Sequence, residues 1–439
     1  MTTNEELPSK TFCVLPWIHL AFEPNGKVLP CCLMSNFLHT TGWKAGDLNT
    51  QTIDEIWNGD KMKEIRKQML NGEEPKFCHK CFDRERATPK NVILDSSRYQ
   101  HNTTFKEKIK EVKEITSEDG SVSKIDLKYW DFRFSNKCNF KCKTCGPDYS
   151  SSWVDDTKKM MYFGREMPVE KPEHDIDPQN IWGNKLRKIE NVDTLSRFEF
   201  LRNHVKEVEK IYFAGGEPLI MDEHYFVLDM LLEQKRTDVM LTYNTNTSTL
   251  IYRGKNVLDY WKQWDKNKIQ VWSSIDEIGP RAEIIRKGTV WSEVENNLKQ
   301  ISDLGIFLMP GITTSALNVF RIPEIIDRFI EIGIVGKKQH YRNWSLNLLY
   351  TPTYYHITLL SDKLKNETIT KLDDYTTRIK KQYNIDFSDK FSLIKSVLQQ
   401  PHNPLYKQDF INVTKNLDVI RNENTFETIP ELKDVFNND

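Results

Sequence analysis

No stretch of this 439-residue sequence approaches the roughly 18 consecutive apolar residues that a membrane-spanning helix needs. The opening residues, MTTNEELPSK, are polar and mixed in charge, unlike a secretory leader. Neither sign of charge dominates: 62 Lys and Arg face 63 Asp and Glu, a formal net charge of −1. That balance removes any overall pull toward nucleic acid or anionic lipid, and no basic, aromatic-lined groove stands out in the chain. Internal repeats and low-complexity tracts are missing too, which argues against a solenoid. These absences predict a cytoplasmic protein with no membrane or nucleic-acid partner, one large domain with one or two attachments.

What the chain does have is cysteine, at positions 13, 31, 32, 78, 81, 138, 142 and 145. In a reducing compartment such clusters serve as metal ligands or catalytic groups more often than as disulfides. They fall into two sets.

Residues 1–90 are rich in cysteine, tryptophan and turns, and read as a small cysteine-rich N-terminal domain. Within it, Thr52-Ile53-Asp54-Glu55 has the form of a capping box. Met62, Ile65, Met69 and Leu70 then recur on one helical face, with Gly72 as its stop. Residues 91–126 form a polar connector with one helix. From 127 onward, strand patterns at 127–135, 210–216, 238–244, 268–276, 306–314 and 344–350 alternate with helical ones at 222–235, 254–264, 291–305 and 322–333. This α/β alternation predicts a parallel sheet with right-handed crossovers, either an open doubly wound sheet or a barrel. Residues 148–208 are an insertion after the first strand, helical near 192–208, and 351–439 read as a mainly helical extension.

Cys138, Cys142 and Cys145 directly follow the first predicted strand. Three thiolates at this spacing can wrap one small inorganic cube. Tetrahedral zinc takes four closed ligands, and no fourth cysteine or histidine lies nearby. A [4Fe-4S] cluster held by three thiolates leaves one iron open for a chelating ligand. The C-terminal edge of a parallel sheet is where such ligands bind.

At this point the chain resembles the radical S-adenosylmethionine superfamily, whose triad has the same CxxxCxxC spacing. Gly215, Gly216, Glu217 and Pro218, closing the second strand, match that family's GGEP motif; the glycines would let backbone approach the cofactor and Glu217 would help hold its ammonium. Thr245-Asn246-Thr247 resembles the family's Thr-Asn-Gly, with threonine in place of glycine. Ser274-Ile275-Asp276 resembles its Ser-Leu-Asp, and Arg286 stands where relatives carry an arginine for the cofactor carboxylate. Thr144 departs from the aromatic that many relatives place before the last cysteine. The resemblance covers residues 127–350 and implies a partial (βα)6 TIM-like barrel.

The second set, Cys13, Cys31, Cys78 and Cys81, resembles the SPASM auxiliary-cluster domain or its single-cluster form, twitch. In relatives this domain more commonly follows the barrel. By spacing alone Cys32 could replace Cys31, and four such cysteines could bind a second [4Fe-4S] cluster or structural zinc. The resemblance implies an enzyme that cleaves S-adenosylmethionine to a 5′-deoxyadenosyl radical and abstracts a hydrogen atom from a peptide or protein. A sugar or nucleotide substrate, and an iron–sulfur carrier without turnover, are the alternatives. It further implies a flavodoxin- or ferredoxin-type electron donor.

Overall fold

The computed structural model describes residues 7–34, 41–87, 96–162, 195–334 and 344–436. Its centre is a nine-stranded sheet. Six strands run parallel in chain order: β4 (Tyr129–Phe132), β6 (Lys210–Phe213), β7 (Met240–Thr245), β10 (Ile269–Ser274), β12 (Phe307–Thr314) and β13 (Ser345–Leu348). Five fall within the segments read as strands, and β7 runs one residue past its segment, to Thr245. The remaining three come from the N-terminal segment: β1 (His19–Phe22), β2 (Lys27–Leu29) and β3 (Gly46–Asp47).

Sequential order decides between the two architectures left open by the alternation. A doubly wound sheet reverses its strand order and carries helices on both faces. Here the order never reverses among the six, so right-handed crossovers stack their helices on one face. Burial follows suit: β10 alternates between buried and half-buried residues, with Ile269, Val271 and Ser273 beneath the helices and Gln270, Trp272 and Ser274 on the other face. That second, inner face is polar and partly open, with Asn244 exposed. Among the described residues the sheet ends at β13 and β3 without a closing pair.

The N-terminal segment continues this sheet rather than standing apart from it. β1 pairs in parallel with β4, matching His19 to Tyr129 and Phe22 to Phe132. A single apolar core reaches from Phe12 through Trp130 and Phe213 to Val435. The capping box forms as read: Thr52 accepts from the Glu55 backbone N–H, and Glu55 accepts from that of Thr52. The next helix is Asp60–Leu70, followed by Gly72 at φ +79°.

Between β4 and β6 lie the short β5 (Lys141–Cys142), the helix Trp153–Tyr162 and the helix Leu195–His204. Most of the insertion, residues 163–194, lies outside the described residues. A two-stranded hairpin, β8 (Ile251–Tyr252) and β9 (Lys255–Asn256), follows β7; β11 (Arg286–Lys287) follows β10. The C-terminal extension is helical, chiefly Asp362–Tyr383, Ser388–Leu398 and Lys407–Arg421.

Candidate functional site

The triad loop leaves the C-terminal end of β4 and is fixed by backbone-directed bonds. Ser152 donates to the Cys138 carbonyl at 2.7 Å, and the Trp153 indole donates to that of Cys142 at 2.9 Å. Cys142 is buried, and Cys138 and Cys145 are partly so. Burial pushes all three thiols up, Cys145 to about 12. Such thiols stay protonated until a metal centre displaces the protons.

Backbone pairing brings Arg286 to this loop. β11 runs antiparallel to β5 with Arg286 opposite Cys142. Its Nη1 donates to Asp276 at 2.8 Å, while its buried Nε has no partner. Asp276 also accepts from the Thr313 backbone at 2.8 Å, so its carboxylate holds Arg286 and β12 rather than facing a ligand. Arg286, Ser274 and Asn246 line one cleft with Phe140 of the triad loop.

At the GGEP motif the chain packs closely against itself. A Cβ at Gly216 would lie 2.1 Å from the Lys137 carbonyl oxygen, and one at Gly215 would lie 3.1 Å from the Arg133 Cα. These glycines therefore admit the chain's own triad loop. Glu217 is buried and accepts from Thr245 Oγ1 at 2.6 Å and from the Asn246 and Leu219 N–H groups at 2.6 and 3.1 Å. It ties the tips of β6 and β7 together. Pro218 opens the short turn Pro218–Ile220.

Thr247, the residue that replaces the family's glycine, has a φ of +53°. A β-branched residue there is strained by about 1–3 kcal/mol. Its hydroxyl pairs with Ser273 Oγ at 2.7 Å and its N–H donates to Thr245 Oγ1 at 3.0 Å, which hold it in place.

The other set also converges. Cys13, Cys31, Cys78 and Cys81 all line one cavity, walled by Leu15, Met34, Ile65, Met69 and Phe77. Cys32 does not line it, and lies instead beside Cys31, Arg133 and Asp131. Among the described residues, no three Cys, His, Asp or Glu side chains stand close enough to hold a single ion. Four thiols facing one cavity supply the ligand number that a [4Fe-4S] cluster takes.

Sequence reasoning missed two groups. One is a latch from the C-terminal extension onto the triad loop. Arg421 donates to Asp156 at 2.7 Å and stacks 4.6 Å over the Trp153 ring. Lys141 meets the same Asp156 at 2.7 Å, and the fully buried Lys143 faces Asp418 and Glu423 at 3.5 and 3.6 Å. Nothing local in the sequence signals contacts across 265 residues. The other is a charged group on the inner face, Glu23, Asp131 and Arg133. Polar residues at alternate positions of YWDFRF were its available signal.

Residues 13–82 match the profile of SPASM, an iron-sulfur cluster-binding domain. Over 183 residues, 41% of this chain and 57% of the relative, the sequence is 24% identical to a probable GTP 3′,8-cyclase of Methanocaldococcus jannaschii. Over 142 residues, 32% of this chain and 33% of the relative, it is 25% identical to a GTP 3′,8-cyclase of Aliarcobacter butzleri. The chain thus spans less than two thirds of either relative. Among solved structures, native anSMEcpe with bound AdoMet is 18% identical, with a TM-score of 0.37 over 58% of this chain and 62% of that one. Streptococcus suis SuiB bound to precursor peptide SuiA is 13% identical, with a TM-score of 0.37 over 86% and 74%. Structural likeness this distant carries no argument about function. The profile match gives residues 13–82 an iron-sulfur cluster-binding domain of the SPASM type, and the triad, GGEP and Ser274–Arg286 segments, which resemble the radical S-adenosylmethionine superfamily, gather at one sheet edge.

Proposed function

We propose that this protein removes a hydrogen atom from a peptide or protein by radical S-adenosylmethionine chemistry. When bound and reduced, a [4Fe-4S] cluster carrying S-adenosylmethionine supplies a 5′-deoxyadenosyl radical for that abstraction. Cys138, Cys142 and Cys145 hold this cluster in the proposal, and Cys13, Cys31, Cys78 and Cys81 hold a second. The observation that carries the reading is the pairing of Arg286 with Cys142, which sets a buried, unpartnered guanidinium N–H beside the triad. Such a donor suits the methionine carboxylate. Asn246 and Ser274 line the same cleft, and Glu217 and Asp276 position Asn246 and Arg286 from behind. Their shared task is to orient the cofactor and exclude water. A flavodoxin- or ferredoxin-type protein would deliver the electron.

The open, polar inner face gives an extended substrate room to lie across several strands. A nucleotide substrate is the second reading, favoured by the relatives whose names record GTP as substrate. An electron carrier without turnover has no use for the Arg286 cleft. Anaerobically reconstituted protein, reduced with dithionite and given S-adenosylmethionine, should release 5′-deoxyadenosine and methionine. Intact cofactor after many hours, with both clusters present, would leave the carrier reading standing. Deuterium transfer into 5′-deoxyadenosine from labelled peptide or labelled GTP then separates the substrates.

A further inference from the structure

We propose that the inner face carries a recognition site for a cationic hydrogen-bond donor of the substrate, an ammonium or guanidinium, built on Asp131 with Glu23 and Arg133. This rests on the reading that substrate reaches the inner face.

In YWDFRF the strand alternation places Tyr129, Asp131 and Arg133 on the inner face, away from the helices. Asp131 is 0% exposed, and neither carboxylate oxygen has a hydrogen-bond partner. Arg133 Nη1 lies 3.2 Å from Asp131 Oδ1, outside hydrogen-bond geometry, and 3.5 Å from Glu23 Oε1. One guanidinium is thus shared between two carboxylates. The next cation along, Lys210, sits 5.0 Å over the Tyr129 ring. Acceptors buried without donors are costly, so native interiors pair them or reserve them for a ligand.

A purely structural ion network would account for the Glu23–Arg133 pair, which joins β1 to β4. It would leave the fully buried Asp131 carboxylate without a well-formed hydrogen bond, its neighbours being the Arg133 guanidinium at 3.2 Å and the Cys32 thiol. The residue opposite Asp131 on β1 is the small Ala21, and its neighbour on β6 is the half-buried Tyr212. Two carboxylates sharing one arginine favour a cation over an anion there. Burial pushes the Asp131 carboxyl well above its usual range, and an arriving cation would bring it back.

The location also suits a substrate group. Tyr149, on the triad loop, donates to Glu23 Oε2 at 3.2 Å. On the other side, Cys32 borders Asp131 and Arg133 next to Cys31. A cation held by Asp131 would therefore lie between the two cysteine centres.

The test uses the anaerobically reconstituted full chain and saturation-transfer NMR with the N-acetyl amides of lysine, arginine, norleucine and glutamate. The lysine or arginine amide should bind about tenfold tighter than the norleucine amide, a typical margin for a charge-assisted hydrogen bond. Asp131→Asn keeps the shape and should abolish that margin, and Glu23→Gln should reduce it. Should Asp131→Asn fail to fold, Ala21→Leu keeps the charge, fills the space beside it, and should likewise abolish the margin. Equal binding of all four amides, preference for the glutamate amide, or a margin that survives Asp131→Asn would each overturn the proposal. Cofactor cleavage is measured separately, so failure here is distinguishable from failure of the radical reading.

Discussion

The two cysteine centres are built on opposite principles. The triad's three thiols sit on one loop between Cys138 and Cys145, amid charge from Arg286 and Asp276. The four-cysteine cavity gathers thiols from Cys13, the segment after β2, the turn Lys76–Cys78 and the helix His79–Ala87, behind a largely apolar wall that Lys80 and Arg98 complete. Charged surroundings suit a ligand that is exchanged every turnover. A largely apolar wall suits a group that stays. The first centre is local in sequence, whereas the second forms only when distant segments fold together.

The largest test of this contrast is exchange of one set at a time. Replacing Cys138, Cys142 and Cys145 by Ala should abolish cofactor cleavage and lower iron from about eight to about four per chain. Its thermal unfolding should stay near wild type. Replacing Cys13 and Cys78 should spare cleavage, stop product formation, and lower the unfolding temperature by several degrees, because that centre cross-links segments. Iron assay, chromatography of 5′-deoxyadenosine and calorimetry read these outcomes. Loss of cleavage in the folded Cys13/Cys78 variant would erase the distinction.

Next comes the cleft beside the triad. Arg286→Ala should weaken S-adenosylmethionine about ten- to a hundredfold, the equivalent of a charge-assisted bond of about 1.5–3 kcal/mol. Ser274→Ala removes one neutral hydroxyl and should cost about fivefold or less. Anaerobic calorimetry measures both, and equal losses would mean that Arg286 serves only to pair Asp276.

Acid offers a smaller effect, shared by both halves of the sheet. Burial lowers His19 in β1 and His224 in the helix after β6 from 6.5 to about 3. Their neutral forms therefore favour the fold at neutral pH. That contribution is complete above about 6.5 and falls away as pH drops toward about 3, where the buried rings must charge. Urea titrations at pH 7, 5.5 and 4.5 should show falling stability, with a shallower fall in His224→Leu. The smallest effect concerns Thr247. Glycine there relieves the positive φ but loses the Ser273 contact, so Thr247→Gly should stay within about 1 kcal/mol of wild type in the same titrations.

Much of this was legible because the relevant signals are local. Six alternating segments placed six strands, and the triad spacing, the GGEP position and the Ser274–Arg286 interval lie on loops that the strand order brings to one edge. Two matters were not legible. The part played by Gly215, Gly216 and Glu217 depends on which backbone packs against them, and that proved to be the triad loop itself. Cys31 and Cys32 are indistinguishable by interval, since only backbone direction after β2 sends one into the cavity and the other toward Asp131. The union of residues 1–90 with the sheet rests on β1 pairing across about a hundred residues of chain, which no periodicity announces.

The hold of Arg421, Asp418 and Glu423 on the triad loop has a consequence for the order of synthesis. A ribosome delivers Cys145 well before Arg421, and domains fold as their residues emerge. During that interval the loop has its β4 anchor but not its far clamp, and Lys143 has no carboxylates from the extension to face. Iron loaded then would meet a loose, accessible loop; iron loaded after release would meet a fastened one. The extension thus acts as a clock as much as a brace, dividing the life of the nascent chain into a period open to cluster insertion and one that seals it.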